Sequence, residues 1–194
     1  MDFAIVGLGN LGDKYQFTRH NIGWIFLDRY LGKFPQNEGN DLISYKNLYK
    51  YKILKIKGKE VIFVFPQTYM NESGKAVKQV CQNYNIKPNN VLLLLDEYNF
   101  DLGKFHLKNK SSDGGHNGTK SVLAELQSNE FYKLRLGIGK NFGSGELVEY
   151  VLGEFNAEEM KIIDELQDKF NKTLDIFITN SPDRAMQIIN SGKY

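Results

Sequence analysis

A single cysteine, Cys81, stands in 194 residues. A lone thiol has no disulfide partner and no second sulfur for a zinc or iron–sulfur pair, which fits a reducing compartment. No such staple is needed, because a fold of this length buries roughly 70% of the surface its unfolded chain exposes. Long apolar runs are missing too. Even an unbroken run such as residues 91–95 is far short of the ~18 residues of a membrane span, so no membrane association is expected. Near the start, Asp2 stands where an export signal is basic, and the apolar stretch at 3–6 is too short for a signal core. A cytoplasmic protein is expected. The histidines and the cysteine form no cluster at metal-ligand spacing, so no metal is expected. No repeat, low-complexity tract or Pro/Gly/Ser-rich linker divides the chain, and residues 1–194 read as one domain.

What is present is unevenly charged. Residues 1–140 hold 20 Lys/Arg against 13 Asp/Glu, a balance of +7, and residues 141–194 hold 5 against 10, a balance of −5. Lys46, Lys50, Lys52, Lys55, Lys57 and Lys59 follow one another with no acid between them. Such asymmetry suggests an anionic partner such as nucleic acid. A plainer reading puts Lys52, Lys55 and Lys57 on the solvated side of a strand, with Ile53 and Leu54 or Ile56 facing inward.

Apolar runs rich in β-branched and aromatic residues at 3–6, 53–56, 61–65, 91–95 and 134–138 read as strands. Lys57-Gly58-Lys59 makes a hairpin turn, and the continuous run 92–95 belongs in the buried middle of a sheet. Helical spacing appears in Ile22, Ile25, Phe26, Tyr30; in Ala76, Val77, Val80, Cys81, Tyr84; in Val122, Leu123, Leu126; and in Met160, Ile163, Leu166, Phe170, Leu174. The last set predicts an acidic C-terminal helix. Strands alternating with helices, plus a hairpin, predict an α/β fold: a single domain with a twisted mixed β-sheet sandwiched by α-helices.

Four polar clusters fall where strands end or helices begin: residues 7–12 with His20 and Asn21, then 66–74, 96–103 and 114–118. In open α/β sheets that rim is where ligands bind. Gly7, Gly9 and Gly12 match the dinucleotide fingerprint, and a nucleotide-dependent oxidoreductase is one alternative. The fingerprint, however, needs its helix to start at the loop, whereas the apolar period begins only near Ile22. The acidic residue about 20 positions on, Asp28, falls inside that helix.

His20 lies at the mouth of the first strand–helix connection, and Asp96 directly follows the buried run 92–95. If those strands are neighbours, Asp96 accepts a hydrogen bond from one ring nitrogen of His20 and leaves the other as a base. Asn71 and Asn117 precede helical stretches. They read either as helix caps or as amide donors aimed at a carbonyl whose oxygen gains charge. His106 and His116 are weaker candidates.

These residues carry a resemblance. Val6-Gly7-Leu8-Gly9-Asn10, Tyr15, Thr18-Arg19-His20-Asn21-Ile22-Gly23, Pro66-Gln67-Thr68-Tyr69-Met70-Asn71-Glu72-Ser73-Gly74, Gly114-Gly115-His116-Asn117-Gly118, Arg135-Leu136-Gly137-Ile138-Gly139 and Tyr150-Val151-Leu152-Gly153 resemble, in order and spacing, the bacterial-type peptidyl-tRNA hydrolases. The resemblance implies a monomeric α/β enzyme without a cofactor that cleaves the ester between a peptide and the 3′ end of tRNA, recycling translation drop-off products. It implies His20 as catalytic base, Asp96 as its support, and Asn10, Asn71 and Asn117 lining the site. Tyr15 and Met70 become pocket walls. Arg135, with Lys108 or else Lys110, holds the tRNA 5′ phosphate, and residues 139–151 flank the cleft as a lid. The chain departs from the family at Leu11, usually Pro, and around the aspartate, where Leu95, Asn99 and Asp101 replace the usual His, Asp and Pro pattern.

The chemistry is then hydrolysis by water activated on His20, with Asn10 or Asn71 donating to the oxyanion. A serine nucleophile has no support, since Gly143-Ser144-Gly145 lacks the strand of a nucleophile elbow. A plain RNA-binding module explains the basic part of the chain but not His20, Asp96 and the asparagines gathered at one rim.

Overall fold

The computed structural model describes residues 1–34 and 41–194. Its strands are β1 (Phe3–Gly7), β2 (Ile43–Tyr45), β3 (Tyr49–Ile56), β4 (Lys59–Pro66), β5 (Val91–Glu97), β6 (Phe105–Asn109) and β7 (Tyr132–Gly137). They form one sheet in the order β2-β3-β4-β1-β5-β7-β6. The four inner strands run parallel, while β2, β3 and β6 pair antiparallel toward the two edges. The inner strands are covered on both faces, which is why 61–65 and 91–95 are unbroken apolar runs rather than alternating ones. Between β3 and β4, Lys57 (φ 47°) and Gly58 (φ 87°) form the expected two-residue turn, with both residues in the left-handed region that matches strand twist.

The helices are α1 (Ile22–Gly32), α2 (Ser73–Tyr84), α3 (Asn117–Leu126), α4 (Leu147–Leu152), α5 (Ala157–Glu165), α6 (Gln167–Thr179) and α7 (Pro182–Ser191). Alternation divides the core in two. Ile5, Phe63, Leu92, Leu94, Leu134 and Leu136 meet Phe26, Leu27 and Tyr30 of α1, with Phe170, Leu174 and Phe177 of α6 behind them. Ala4, Val6, Ile62, Val64, Leu93 and Leu95 face the other way, toward Ala76, Val77 and Val80 of α2 and Val122 of α3. Each buried Val, Leu, Ile or Phe among them contributes about 1.5–3 kcal/mol. The sandwich around a mixed sheet is as expected.

Several local expectations are corrected. β2 and β6 were not anticipated. The stripe from Met160 to Leu174 is not one helix: α5 ends and α6 begins at Leu166 (φ −81°, ψ −9°), and α7 follows from Pro182. Lys52 and Lys55 do not share a solvated face. Three residues apart on a strand, they point to opposite sides, and Lys52 is buried while Ile53 is 41% exposed.

Candidate active site

β1 and β5 are hydrogen-bonded neighbours, with Val6 opposite Leu93 and Gly7 opposite Leu94. The loop leaving β1 therefore runs beside the end of β5, where Asp96 sits. His20 occupies a single 3₁₀ turn, Arg19–Asn21, immediately before α1. Its Nδ1 lies 2.7 Å from Asp96 Oδ1, both residues being buried.

A second histidine closes on the same oxygen. His116 Nε2 is 2.9 Å from Asp96 Oδ1. Its other nitrogen, Nδ1, accepts from the backbone N–H groups of Gly118 (3.1 Å) and Thr119 (3.2 Å) and so caps α3. An accepting Nδ1 carries no proton, so Nε2–H donates to Asp96. Asp96 Oδ1 thus receives two N–H donors, and His20 holds its proton on Nδ1. His20 Nε2 makes no hydrogen bond among the described residues, yet it is not sealed from solvent. Burial works to lower the His20 pKa, but the charge of Asp96 and its hydrogen bond outweigh it and hold the ring above 6.5. Burial works to raise the Asp96 pKa, but His20 and His116 outweigh it and hold the carboxyl well below the usual carboxylate range.

His20, Asp96 and His116 place their ligand atoms within 4.8 Å of one another, a grouping that sequence spacing did not show. Around a zinc ion with bonds of about 2.1 Å, tetrahedral ligand atoms stand about 3.4 Å apart. The observed 2.7 and 2.9 Å are hydrogen-bond separations, so the three residues are a proton-ordered chain rather than an ion cradle.

Asn10, in the loop leaving β1, is fixed at three points. Its Oδ1 accepts from Met70 N–H (2.8 Å), its backbone N–H donates to Asn21 Oδ1 (2.8 Å), and its carbonyl accepts from Asn21 Nδ2 (3.0 Å). The Met70 contact settles which end of the amide is oxygen. Asn10 Nδ2 is left without a partner among the described residues and is not sealed from solvent. Met70 is buried, and a Cβ on Gly118 would fall 2.6 Å from its Sδ, 3.0 Å from His116 and 3.0 Å from Leu8. Glycine at 118 lets α3 start against those groups.

Asn71 and Asn117 are exposed, with no side-chain hydrogen bond among the described residues. Neither caps a helix: the cap of α3 is His116, because the turn through Gly114 (φ 62°) and Gly115 (φ 80°) brings the ring rather than the amide back to the helix start. Tyr15 ends the 3₁₀ turn Asp13–Tyr15 with Lys14 Nζ 4.7 Å from its ring centroid. The glycine loop is no pyrophosphate cradle. Cβ atoms on Gly7 and Gly9 would lie 2.9 Å from the Gly23 carbonyl and 2.8 Å from the Trp24 ring, so these glycines serve close packing on α1.

At the β6–β7 edge the register sets His106 opposite Arg135 and Lys108 opposite Lys133. All four point to the face away from Leu107 and Leu134. Arg135 is ion-paired with Glu97 and lies 4.8 Å from the Phe100 ring centroid. Lys110 turns instead to Glu130 (3.4 Å). Lys133 Nζ donates to the carbonyls of Ser111 (2.6 Å) and Ser112 (2.8 Å), and burial, then Lys108 and Arg135, push its pKa down to about 8. The departing segment after β5 is closed locally: Leu95 is buried, and Asn99 donates twice to Glu97 Oε1 (2.9 Å each). Asp101 is exposed.

Sequence reading missed His116 as a partner of Asp96, Asn21 as the clamp on Asn10 and Glu97 as the partner of Arg135. Only His116 left a signal, its place in a glycine-flanked turn before a helix.

A sequence profile of the family described as peptidyl-tRNA hydrolase matches residues 4–194. The peptidyl-tRNA hydrolase of Caldicellulosiruptor bescii is 40% identical over 190 residues, 98% of this chain and 97% of that one. That of Thermotoga petrophila is 36% identical over 188 residues, 97% of each. The crystal structure of peptidyl-tRNA hydrolase from Acinetobacter baumannii superposes with a TM-score of 0.87 at 31% identity, covering 97% of this chain and 94% of that one. With the histidine–aspartate chain, the clamped asparagine and the mixed sheet beneath them, these matches make the chain a member of the peptidyl-tRNA hydrolase family.

Proposed function

We propose that His20 is the base through which this peptidyl-tRNA hydrolase activates water against the ester joining the peptide to the 3′ ribose of tRNA. The observation that carries the reading is the 2.7 Å contact from His20 Nδ1 to Asp96 Oδ1, which leaves Nε2 unprotonated and reached by solvent. Nε2 takes a proton as the water oxygen attacks the carbonyl. The carbonyl oxygen gains charge beside Asn10 Nδ2, whose rigid placement lets it act without reorganising. Asp96 stabilises the imidazolium, which then returns the proton to the departing 3′ oxygen. Asn71 and Asn117 offer further amide donors from the cleft rim, and Met70 and Tyr15 serve as walls. Lys108 and Arg135 hold the tRNA 5′ phosphate.

We further propose that residues 1–194 form a single domain that works as a monomer in the cytoplasm. The substrate is a product of translation, which supports the cytoplasmic placement. The test is incubation with an N-blocked aminoacyl-tRNA in the presence of a chelator, following release of free tRNA under single-turnover conditions. His20→Ala is expected to lose about 10²- to 10⁴-fold in rate, roughly 3–5 kcal/mol of barrier, while still binding tRNA. A variant with near-normal rate overturns the assignment.

A further inference from the structure

The sheet face that carries Lys108 and Arg135 holds a third basic group whose charge is conditional. Of the other cations there, Arg135 is committed to Glu97, and Lys133, whose own pKa is pushed down to about 8, to the carbonyls of Ser111 and Ser112. Lys108 forms no ion pair among the described residues, and Lys104 Nζ lies 4.7 Å from the Phe100 ring centroid. His106 packs against the same ring, centroids 5.8 Å apart. Its Nδ1 is buried without a hydrogen-bond partner, a state in which few buried polar atoms are found.

The charged groups facing this ring come from every neighbouring element. Lys108 lies two residues on along its own strand and Lys104 just before that strand, Arg135 and Lys133 lie on the same face of β7, and Glu97 of β5 pairs with Arg135. Asp101, in the loop that carries Phe100, is exposed and forms no ion pair among the described residues. Four cations outnumber the committed carboxylate of Glu97 and that of Asp113, whose charge acts on Lys133, and leave excess positive potential. Burial, then the charges of Arg135, Lys108 and Lys104, hold the His106 pKa below 6.5.

We propose that His106 is a proton-linked ligand for phosphate, neutral in the free enzyme and taking one proton from solvent as the tRNA 5′ phosphate settles among His106, Lys108 and Arg135. This rests on the assignment of Lys108 and Arg135 to that phosphate. An anion reverses the sign of the local potential, so the form of His106 that the empty site disfavours is the form the occupied site stabilises.

The sign follows. Below the pKa of the empty site the ring is charged in both states, and affinity does not depend on its proton. Between the empty-site and occupied-site values, binding takes up a proton and affinity falls as pH rises. Above the occupied-site value it is flat again. The phosphate's own second ionisation, near pH 6, acts in the opposite sense but equally in every variant.

The experiment uses the full chain with N-acetylated aminoacyl-tRNA carrying either a 5′ phosphate or a 5′ hydroxyl. It reads the ratio of the hydroxyl KM to the phosphate KM from pH 6 to 8.5. Between pH 6.5 and 8 the wild-type ratio is expected to fall about three- to tenfold relative to that of His106→Gln, since one linked proton gives at most tenfold per pH unit. His106→Lys, with a permanent charge, is expected to keep a high ratio at pH 8. Parallel courses for wild type and His106→Gln overturn the proposal alone, whereas a wild-type ratio of one at every pH overturns the phosphate assignment beneath it. A second readout needs no variant: the ring-proton resonances of His106 should titrate about one pH unit higher with a 5′-phosphorylated acceptor-stem duplex than with its 5′-hydroxyl counterpart. Equal midpoints overturn the proposal.

Discussion

Asp96 does two opposing things to His20, and one substitution separates them. Its charge lifts the His20 pKa above 6.5 against burial, so the neutral base is populated only as pH rises through that raised value. In the proposed mechanism its carboxylate also stabilises the imidazolium formed during reaction. Asp96→Asn keeps an acceptor oxygen but removes the charge, leaving burial to act alone. The rate plateau is expected to fall, and the midpoint of its pH profile to move down rather than up. A profile unchanged in both height and midpoint would mean that Asp96 is merely a structural partner. Asn10→Asp is a near-isosteric test of the amide donor. It keeps an oxygen for Met70 N–H and removes Nδ2, so turnover is expected to fall about 10²- to 10³-fold. Unfolding midpoints matched to wild type would confirm that the loss is chemical. His20 and Asp96 were legible because each sits at the end of an element whose type the apolar pattern gives away. His116 was not, since its ring reaches Asp96 only through the left-handed turn at Gly114 and Gly115, which spacing does not encode.

Between elements, the turn that bears His20 is tied to the C-terminal helices by Arg19. Its guanidinium donates to the Glu154 carbonyl (2.9 Å) and to both oxygens of Glu159 (3.0 and 2.7 Å), and lies 4.4 Å from the Tyr150 ring centroid. Tyr150 in turn donates from its hydroxyl to the Ile138 carbonyl at the end of β7 (2.8 Å). The backbone adds Arg19 N–H to Gly153 and Phe155 N–H to Phe17. Arg19→Met keeps the aliphatic packing and removes the fork, leaving Glu159 half-buried and unpaired. A loss of about 1–3 kcal/mol is expected, with faster hydrogen exchange in residues 147–155. Exchange unchanged there would show that the backbone pairing alone holds α4. Little of this assembly could be read beforehand. β2 has three residues, β6 alternates His106 and Lys108 with Phe105 and Leu107 at an edge, and the stripe through Leu166 keeps its helical period across the break between α5 and α6. Buried parallel strands announce themselves; short edge strands and a bend inside a continuous stripe do not.

Across the molecule, the charge asymmetry seen in the sequence has a spatial counterpart. The acidic segment 141–194 supplies α4 to α7, of which α6 and α7 cover the face that also holds α1. The uncommitted cation Lys108 lies at the β6 edge on the opposite face, with Lys104 just before that strand. The phosphate contact proposed there would release counterions, so its share of affinity would fall as salt rises while carrying no sequence information. Lys108→Ala is therefore expected to raise the KM for full-length peptidyl-tRNA and to flatten its log–log salt dependence by about 0.7–0.9 in slope, with turnover nearly unchanged. Arg135 needs a different variant, because removing it alone strands Glu97, which is 7% exposed, as an unpaired buried carboxylate. Arg135→Gln combined with Glu97→Gln avoids that cost, and adding Lys108→Ala should bring the loss of slope to about 1–2. A short 3′ fragment bearing an N-blocked aminoacyl ester has no 5′ phosphate, so its hydrolysis should not respond to Lys108→Ala. Equal impairment on both substrates would move Lys108 from a distal tRNA clamp to a role in the active site or the fold.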